Sequence, residues 1–229
     1  MSNLTLILLA AGSSSRFELD VKKQWIRVGH QPLWQFVADK CEKTKHFDKI
    51  IVTSSSDDIE FMKNYSDYTF VEGGNTRQES LKNSLNAVDT EYVLVSDIAR
   101  SCISENFLKE IISHIGKSDC IVPYLNVNDT IVYEDKTIDR DKVKRVQTPQ
   151  LSLTSALKDA LDTDEEFTDE SSAIVANGGS REFILGDKDA HKITHLQDLK
   201  ELPCLNAPST DTLSGTGFDV HAFDEKGDM

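Results

Sequence analysis

Cysteine is scarce, and its placement excludes two classes at once. The four cysteines, Cys41, Cys102, Cys120 and Cys204, are scattered. They form no C-x-x-C pair and no metal-type spacing, so neither a disulfide framework nor a zinc ribbon is expected, and the thiols are read as reduced. Long apolar runs are also missing. No stretch approaches the roughly 18 residues of a membrane span. The first apolar run, "LTLILLAA", has no Lys or Arg before it. The charged n-region of a secretory signal is therefore absent, and a cytoplasmic chain is the expectation. Positive charge is in deficit: 25 basic against 39 acidic residues give a net charge of −14. That field repels nucleic acid and anionic membrane, so neither is expected as a partner. Any anionic ligand would need cations gathered locally, or a metal.

What is present is alternation. Apolar, β-branched runs recur as "LTLILLA", "DKIIVTS", "YTFVEGG", "EYVLVSD", "DCIVPY" and "REFILGD". Helical patterns lie between several of them. "TRQESLKNSLNAV" puts Leu81, Leu85 and Val88 on one face, with Thr76 and Glu79 as a capping box. "SENFLKEIISHI" carries an apolar stripe behind Ser104, a candidate N-cap. The pattern predicts an α/β fold with a mostly parallel sheet covered on both faces. Residues 125 to 148 break it with polar sequence and short β-like pieces, which predicts an arm leaving the sheet. Residues 203 to 216 have linker composition, rich in Pro, Ser, Thr and Gly.

In such sheets ligands collect beyond the carboxyl ends of the parallel strands. The loops there are "AAGSSSR", "EGGNTR" and "SDIAR", with "DVKKQW" close behind the first. They bring Arg16, Lys23, Arg77 and Arg100 toward one edge of an acidic protein. Small residues in the first loop let backbone N–H groups approach an anion. Asp97, at a strand end, suits Mg²⁺ shared with phosphate oxygens. The G-x-G-x-x-G signature of dinucleotide binding is absent. Each feature also has a plainer reading: a turn, a solvated lysine pair, a helix cap.

Taken in order, "LLAAGSSSRF", "KKQW", "EGGNTRQESL", "SDIARS", "NDT", "IDR", "QTPQ", "FTDESSA" and "HKITHLQDL" resemble the methylerythritol phosphate cytidylyltransferases, the IspD family. The resemblance runs over about residues 3 to 202. It implies a Rossmann-like nucleotidyltransferase domain over 1–202, a protruding β-arm at about 125–148 and a homodimer built through that arm. CTP, Mg²⁺ (or Mn²⁺) and methylerythritol phosphate are the implied ligands, with the substrate phosphate attacking the α-phosphorus of CTP.

By residue, the resemblance implies that Arg16 and Lys23 stabilise the pentavalent transition state. Arg140 and Lys192 hold the methylerythritol phosphate, with Thr130, Thr148 and Thr168 supplying hydroxyls near it. Gly74, Asn75 and Ser80 face the base, Ala10, Ala11 and Gly12 lie under the nucleotide, and Asp97 is the metal-side carboxylate. Without the resemblance, Thr168 reads as a helix N-cap, Arg140 as a partner of Asp139 or Asp141, and Lys192 with His191 as a strand cap. The chain departs from the family's habits where Ser13, Ser14 and Ser15 replace glycines and a second arginine. It departs again at Asn75 (often Asp), Lys22 (usually Pro) and Ser101 (usually Pro).

After the linker, "GFDVHAF" resembles the start of the cyclodiphosphate synthases (IspF), placed at 217–229. Asp219 and His221, two apart on an expected strand, would be two ligands of a Zn²⁺-type site that lacks its third. That second activity is expected to be missing here. Two further readings stay open: a nucleotidyltransferase for another base or sugar phosphate, and a non-catalytic nucleotide-binding domain.

Overall fold

The computed structural model describes residues 3–14, 17, 21–205 and 214–220. Strand β1 (Leu4–Leu9) lies inside the main sheet. It pairs in parallel with β4 (Lys49–Ser54) on one side and β6 (Tyr92–Asp97) on the other, and β4 pairs in parallel with β5 (Thr69–Glu72). Beyond β6, the antiparallel β11 (Gln150–Leu153) joins β6 to β7 (Cys120–Asn126). β10 (Lys144–Val146) runs antiparallel along β7, and β12 (Arg181–Leu185) pairs with it in parallel. A short pair, β2 (Arg27–Val28) and β3 (Gln31–Pro32), precedes the first helix. The predicted α/β class with a mostly parallel sheet holds, and all six predicted runs are strands.

The continuous apolar character of "LTLILL" has its cause in the layering. Leu4, Leu6 and Leu8 pack with Trp34, Val37 and Phe107 on one face. Ile7 and Leu9 pack with Leu81 and Leu85 on the other. The first layer is built on α1 (Leu33–Glu42), α2 (Ser56–Met62) and α4 (Glu105–Ile112). The second uses α3 (Arg77–Leu85), α5 (Thr154–Leu161) and α6 (Glu170–Ala176). Burying both faces of a strand removes any polar alternation from its sequence.

Helix starts follow the predicted chemistry, with two shifts. Ser104 caps α4 by accepting from Phe107 N, and Thr76 caps α3 by accepting from Glu79 N. The Glu79 carboxylate, however, accepts from Asn75 N at 2.6 Å, one residue before the position a capping box would use. At α6 the cap is Asp169, not Thr168, because Gln150 Nε2 donates to Asp169 Oδ2 at 2.9 Å and holds it there.

The polar break forms a hairpin of β8 (Ile131–Tyr133) and β9 (Lys136–Ile138), separate from the main sheet. Its two turn residues, Glu134 and Asp135, both take positive φ, which matches the right-handed twist of a two-residue hairpin. Val132 and Tyr133 are 61% and 64% exposed on it.

Three expectations need correction. Cys102 and Cys204 form a disulfide, with Cα atoms 5.2 Å apart; only tertiary folding brings residues 102 positions apart together, so spacing gave no sign of it. Cys41 and Cys120 are free and buried, as expected of reduced thiols. Packing also continues past residue 202: Leu202 and Leu205 are buried, so the first residues of the supposed linker belong to the core. Finally, 214–220 forms no strand, and Phe218 is 91% exposed. Among the described residues no strand pairs with it. Asp219 lies in this segment, while His221 falls outside the described residues, as does Arg16.

Candidate active site

The loop after β1 is fixed by its neighbour strand. Ala10 N donates to Thr53 O at 2.7 Å, and Ser54 Oγ donates to Ala10 O. Ser14 sits at φ +60°, a conformation glycine adopts without cost. Its hydroxyl offsets the strain by accepting from Lys23 N at 2.9 Å, which ties the first loop to the turn Lys23–Trp25. Ser14 therefore replaces glycine flexibility with a side-chain bond. Close approach matters after β5. A Cβ on Gly73 would lie 2.6 Å from the Ala11 side chain and 2.9 Å from Ser80 Oγ, so only glycine lets these loops meet. Ser80 Oγ in turn accepts from Gly74 N at 3.0 Å.

These loops enclose a cleft of about 440 Å³. Ala10, Ala11, Gly12, Gly74, Asn75 and Ser80 line it, together with Lys23, Asp97 and Lys192. A second cavity of about 330 Å³ lies beside it, lined by Thr148, Thr168, Arg100 and Gln150. Arg77, Asp97 and Lys192 line both cavities and form their common wall.

The wall is a charge network. Asp97, at the end of β6, accepts from Lys192 Nζ at 2.8 Å and from Arg77 Nε at 3.4 Å. Arg77 Nη1 also donates to Glu170 Oε1 at 2.7 Å. Arg100 Nε donates to Thr148 Oγ1 at 2.9 Å, and Arg100 Nη1 donates to Ala190 O at 2.7 Å. Burial alone would raise the Asp97 pKa, but Arg77, Lys192 and Arg100 outweigh it and hold the carboxyl at about 2. Glu170 is 0% exposed and has one partnered oxygen, Oε1, while Oε2 is buried without a partner. Burial is its largest influence and raises its pKa against the pull of Arg77. Arg77 is itself desolvated, but the two carboxylates on it keep it charged and raise its pKa. Arg100 is shifted the other way, lowered chiefly by burial.

The segment around Ile193 closes the site from one side. Ile193 N donates to Ala99 O, Lys23 Nζ donates to Ile193 O at 3.2 Å, and Ala190 and Ile193 are fully buried. This segment delivers Lys192 to Asp97.

Most of the residues to which the resemblance gives a role in the transfer, Arg16 lying outside the described residues, thus meet: nine line the larger cleft, and Thr148 and Thr168 line the smaller cavity. Two do not. Arg140 is exposed beside the hairpin and donates to Asn128 O at 2.6 Å rather than pairing with Asp139 or Asp141. Thr130 is exposed at the hairpin's base, away from both cavities. Sequence reasoning gave no role to Gln150, Asp169 or Glu170. An acidic first turn signals a helix start, and nothing local marks Glu170 as the partner of an arginine 93 residues away.

The model of the family described as 2-C-methyl-D-erythritol 4-phosphate cytidylyltransferase, IspD, matches residues 4–202. The chain belongs to the IspD family. It is 79% identical over its whole length to the bifunctional enzyme IspD/IspF of Sulfurimonas denitrificans, covering 59% of that protein. It is 53% identical to the IspD/IspF of Aliarcobacter butzleri, covering 62% of it. The chain therefore spans about three-fifths of the length of these relatives and corresponds to their IspD part. Among solved structures, the bifunctional IspDF of Campylobacter jejuni aligns over 90% of this chain and 55% of its own, at 46% identity and a TM-score of 0.85. The IspD of Francisella tularensis aligns over 87% and 97%, at 28% identity and a TM-score of 0.72.

Proposed function

We propose that this chain transfers CMP from CTP to 2-C-methyl-D-erythritol 4-phosphate, releasing pyrophosphate. The observation that carries the reading is the common wall. Two cavities share Arg77, Asp97 and Lys192, so a nucleotide in the larger and a phosphate nucleophile in the smaller would meet across fixed cations. In-line attack on a phosphorus crowds negative charge there, and preset cations answer it without reorganising. Lys23, with Arg16, stabilises the pentavalent α-phosphorus. Lys192 and Arg100 face the attacking phosphate, and Thr148 and Thr168 supply hydroxyls to the polyol. Gly74, Asn75 and Ser80 take the cytosine edge, where Asn75 offers an amide oxygen to the base's amino group.

The donor set fits a divalent cation that takes most of its ligands from the nucleotide. Asp97 is the carboxylate in the larger cleft placed for it, and no group of three His, Cys, Asp or Glu suited to a metal occurs among the described residues. Mg²⁺, or Mn²⁺, would therefore be held by Asp97 and phosphate oxygens, and would neutralise the triphosphate. Arg140 and Thr130 reach a site only across a homodimer formed through the hairpin, whose exposed Val132 and Tyr133 support that assembly. We place the reaction in the cytoplasm with its nucleotide; among the described residues no helix is long and apolar enough to cross a membrane. Asp219 and His221 would begin the Zn²⁺-type site of a cyclodiphosphate synthase domain whose start falls at 217–229, joined through the segment after Leu205.

The test is pyrophosphate release with Mg²⁺, comparing CTP with ATP, UTP and GTP, each with and without the methylerythritol phosphate. Release that requires CTP and the acceptor together supports the proposal. Release with another nucleotide moves the specificity, and binding without release in any combination overturns catalysis.

A further inference from the structure

Asp58 lies outside both cavities, in the first turn of α2, yet it binds the segment that carries Lys23 on both sides of that residue. Its Oδ2 accepts from Lys22 Nζ at 2.7 Å, from Gln24 Nε2 at 3.2 Å and from Ser55 Oγ at 2.9 Å. Its Oδ1 accepts from Trp25 Nε1 at 2.9 Å. Both immediate neighbours of Lys23, and the residue after them, thus converge on one carboxylate that is itself buried. Lys22, expected from its sequence to be a solvated partner of Lys23, is turned away into this cluster. Burial opposes the charge on Asp58, but its bonds to Lys22, Trp25 and Ser55 prevail and keep it ionised.

The geometry leaves the turn little freedom. Trp25 N donates to Lys22 O and Ile26 N to Lys23 O, so the turn is tight, and Lys23 N is held by Ser14 Oγ. The Lys23 side chain lines the larger cleft, where it reaches Ile193 O. Fixing the flanking residues fixes the direction in which that side chain leaves the backbone. A displacement of about 1 Å at such a group can cost on the order of 10²-fold in rate.

We propose that Asp58 is a positioning residue for nucleotidyl transfer, aiming the Lys23 ammonium at the nucleotide's phosphates through its grip on Lys22, Gln24 and Trp25. This rests on the reading that Lys23 acts on those phosphates. The cluster also explains how lysine is tolerated at position 22: an ion pair stiffens the turn there.

The experiment is a double-mutant cycle of Asp58→Asn and Lys23→Ala, read as kcat and KM for CTP in pyrophosphate release. Single-turnover conditions with enzyme in excess keep slow variants measurable. Asp58→Asn alone is expected to lower kcat/KM roughly 10- to 100-fold, mostly in kcat. In the Lys23→Ala background it should cost less than about twofold, because there is no ammonium left to aim. If the two losses multiply, Asp58 acts by another route and the proposal fails. If Lys23→Ala keeps wild-type kinetics, the reading of Lys23 itself is wrong, which is a separate result. Should Asp58→Asn not fold, Lys22→Ala combined with Trp25→Phe removes two of the donors and leaves the carboxylate. The same cycle then applies to that pair: a loss that vanishes in the Lys23→Ala background supports the proposal, and losses that multiply overturn it.

Discussion

Replacing Asp97 by Asn removes the one negative charge that Arg77, Lys192 and Arg100 share, while keeping the side chain's shape. The fall of the Asp97 pKa from its ordinary 3.8 to about 2 measures how much the folded state favours the ionised form. At about 1.4 kcal/mol per tenfold, that is roughly 2 kcal/mol of stability at pH 7. For a domain of this size such a loss lowers Tm by roughly 4–8 °C. The sign follows from the direction of the shift. A depressed carboxylate contributes fully above its unfolded pKa near 4, and the contribution is lost as pH falls through the folded value near 2. Urea unfolding followed by circular dichroism, in wild type and Asp97→Asn at pH 7, 5, 4 and 3, should show a gap of about 2 kcal/mol at pH 7 and little more than half of it by pH 3. A gap that stays constant down to pH 3 would refute the electrostatic account and leave packing as the cause. A gap near zero at pH 7 would refute the burial of the charge network itself.

Other perturbations test other links. Thr76→Ala removes the cap of α3 and should cost about 1 kcal/mol in urea unfolding, and it should also loosen Asn75 enough to raise KM for the nucleotide. Cys204→Ser opens a ring spanning 102 positions; the chain-entropy model gives a loss of roughly 4–5 kcal/mol, checked by comparing midpoints of wild type with and without a dithiol reductant. Reduced wild type and the variant should then unfold together. Tyr133→Asp on the exposed hairpin should shift sedimentation from dimer to monomer and remove acceptor-dependent release, while the fold by circular dichroism stays intact.

Much of this was legible because it is local. Six strands could be read from apolar runs, and the unbroken "LILLA" at the end of β1 reads as a strand buried on both faces. The strand-end rule pointed to the loops at Ala10 to Gly12, at Gly74 to Arg77 and at Asp97, and these residues line one cleft. What escaped was long-range. Arg77 finds Glu170 across 93 residues, and Lys22 finds Asp58 across 36. Cys102 meets Cys204 only when the segment after Lys192 folds back over Ala99. The choice between Thr168 and Asp169 as the cap of α6 was local in form, but Gln150 decided it from another strand. Residue types gave the chemistry of such groups; the fold chose their partners.

The segment that carries Lys192 has a consequence in time. It is held by Ala99, by the loop around Cys102 and by the burial of Leu199, Leu202 and Leu205. A chain emerging from the ribosome can lay down β1, β4, β5 and β6 with both glycine loops well before this stretch appears. Until residues 190 to 192 are clear of the exit tunnel, Asp97 has no Lys192 and Arg100 has no Ala190 carbonyl, and the turn that anchors them follows later still. The pocket can therefore form early, and its shared wall is finished late. Competence would be the last thing this domain acquires during synthesis, set by when the final turn docks rather than by when the sheet closes.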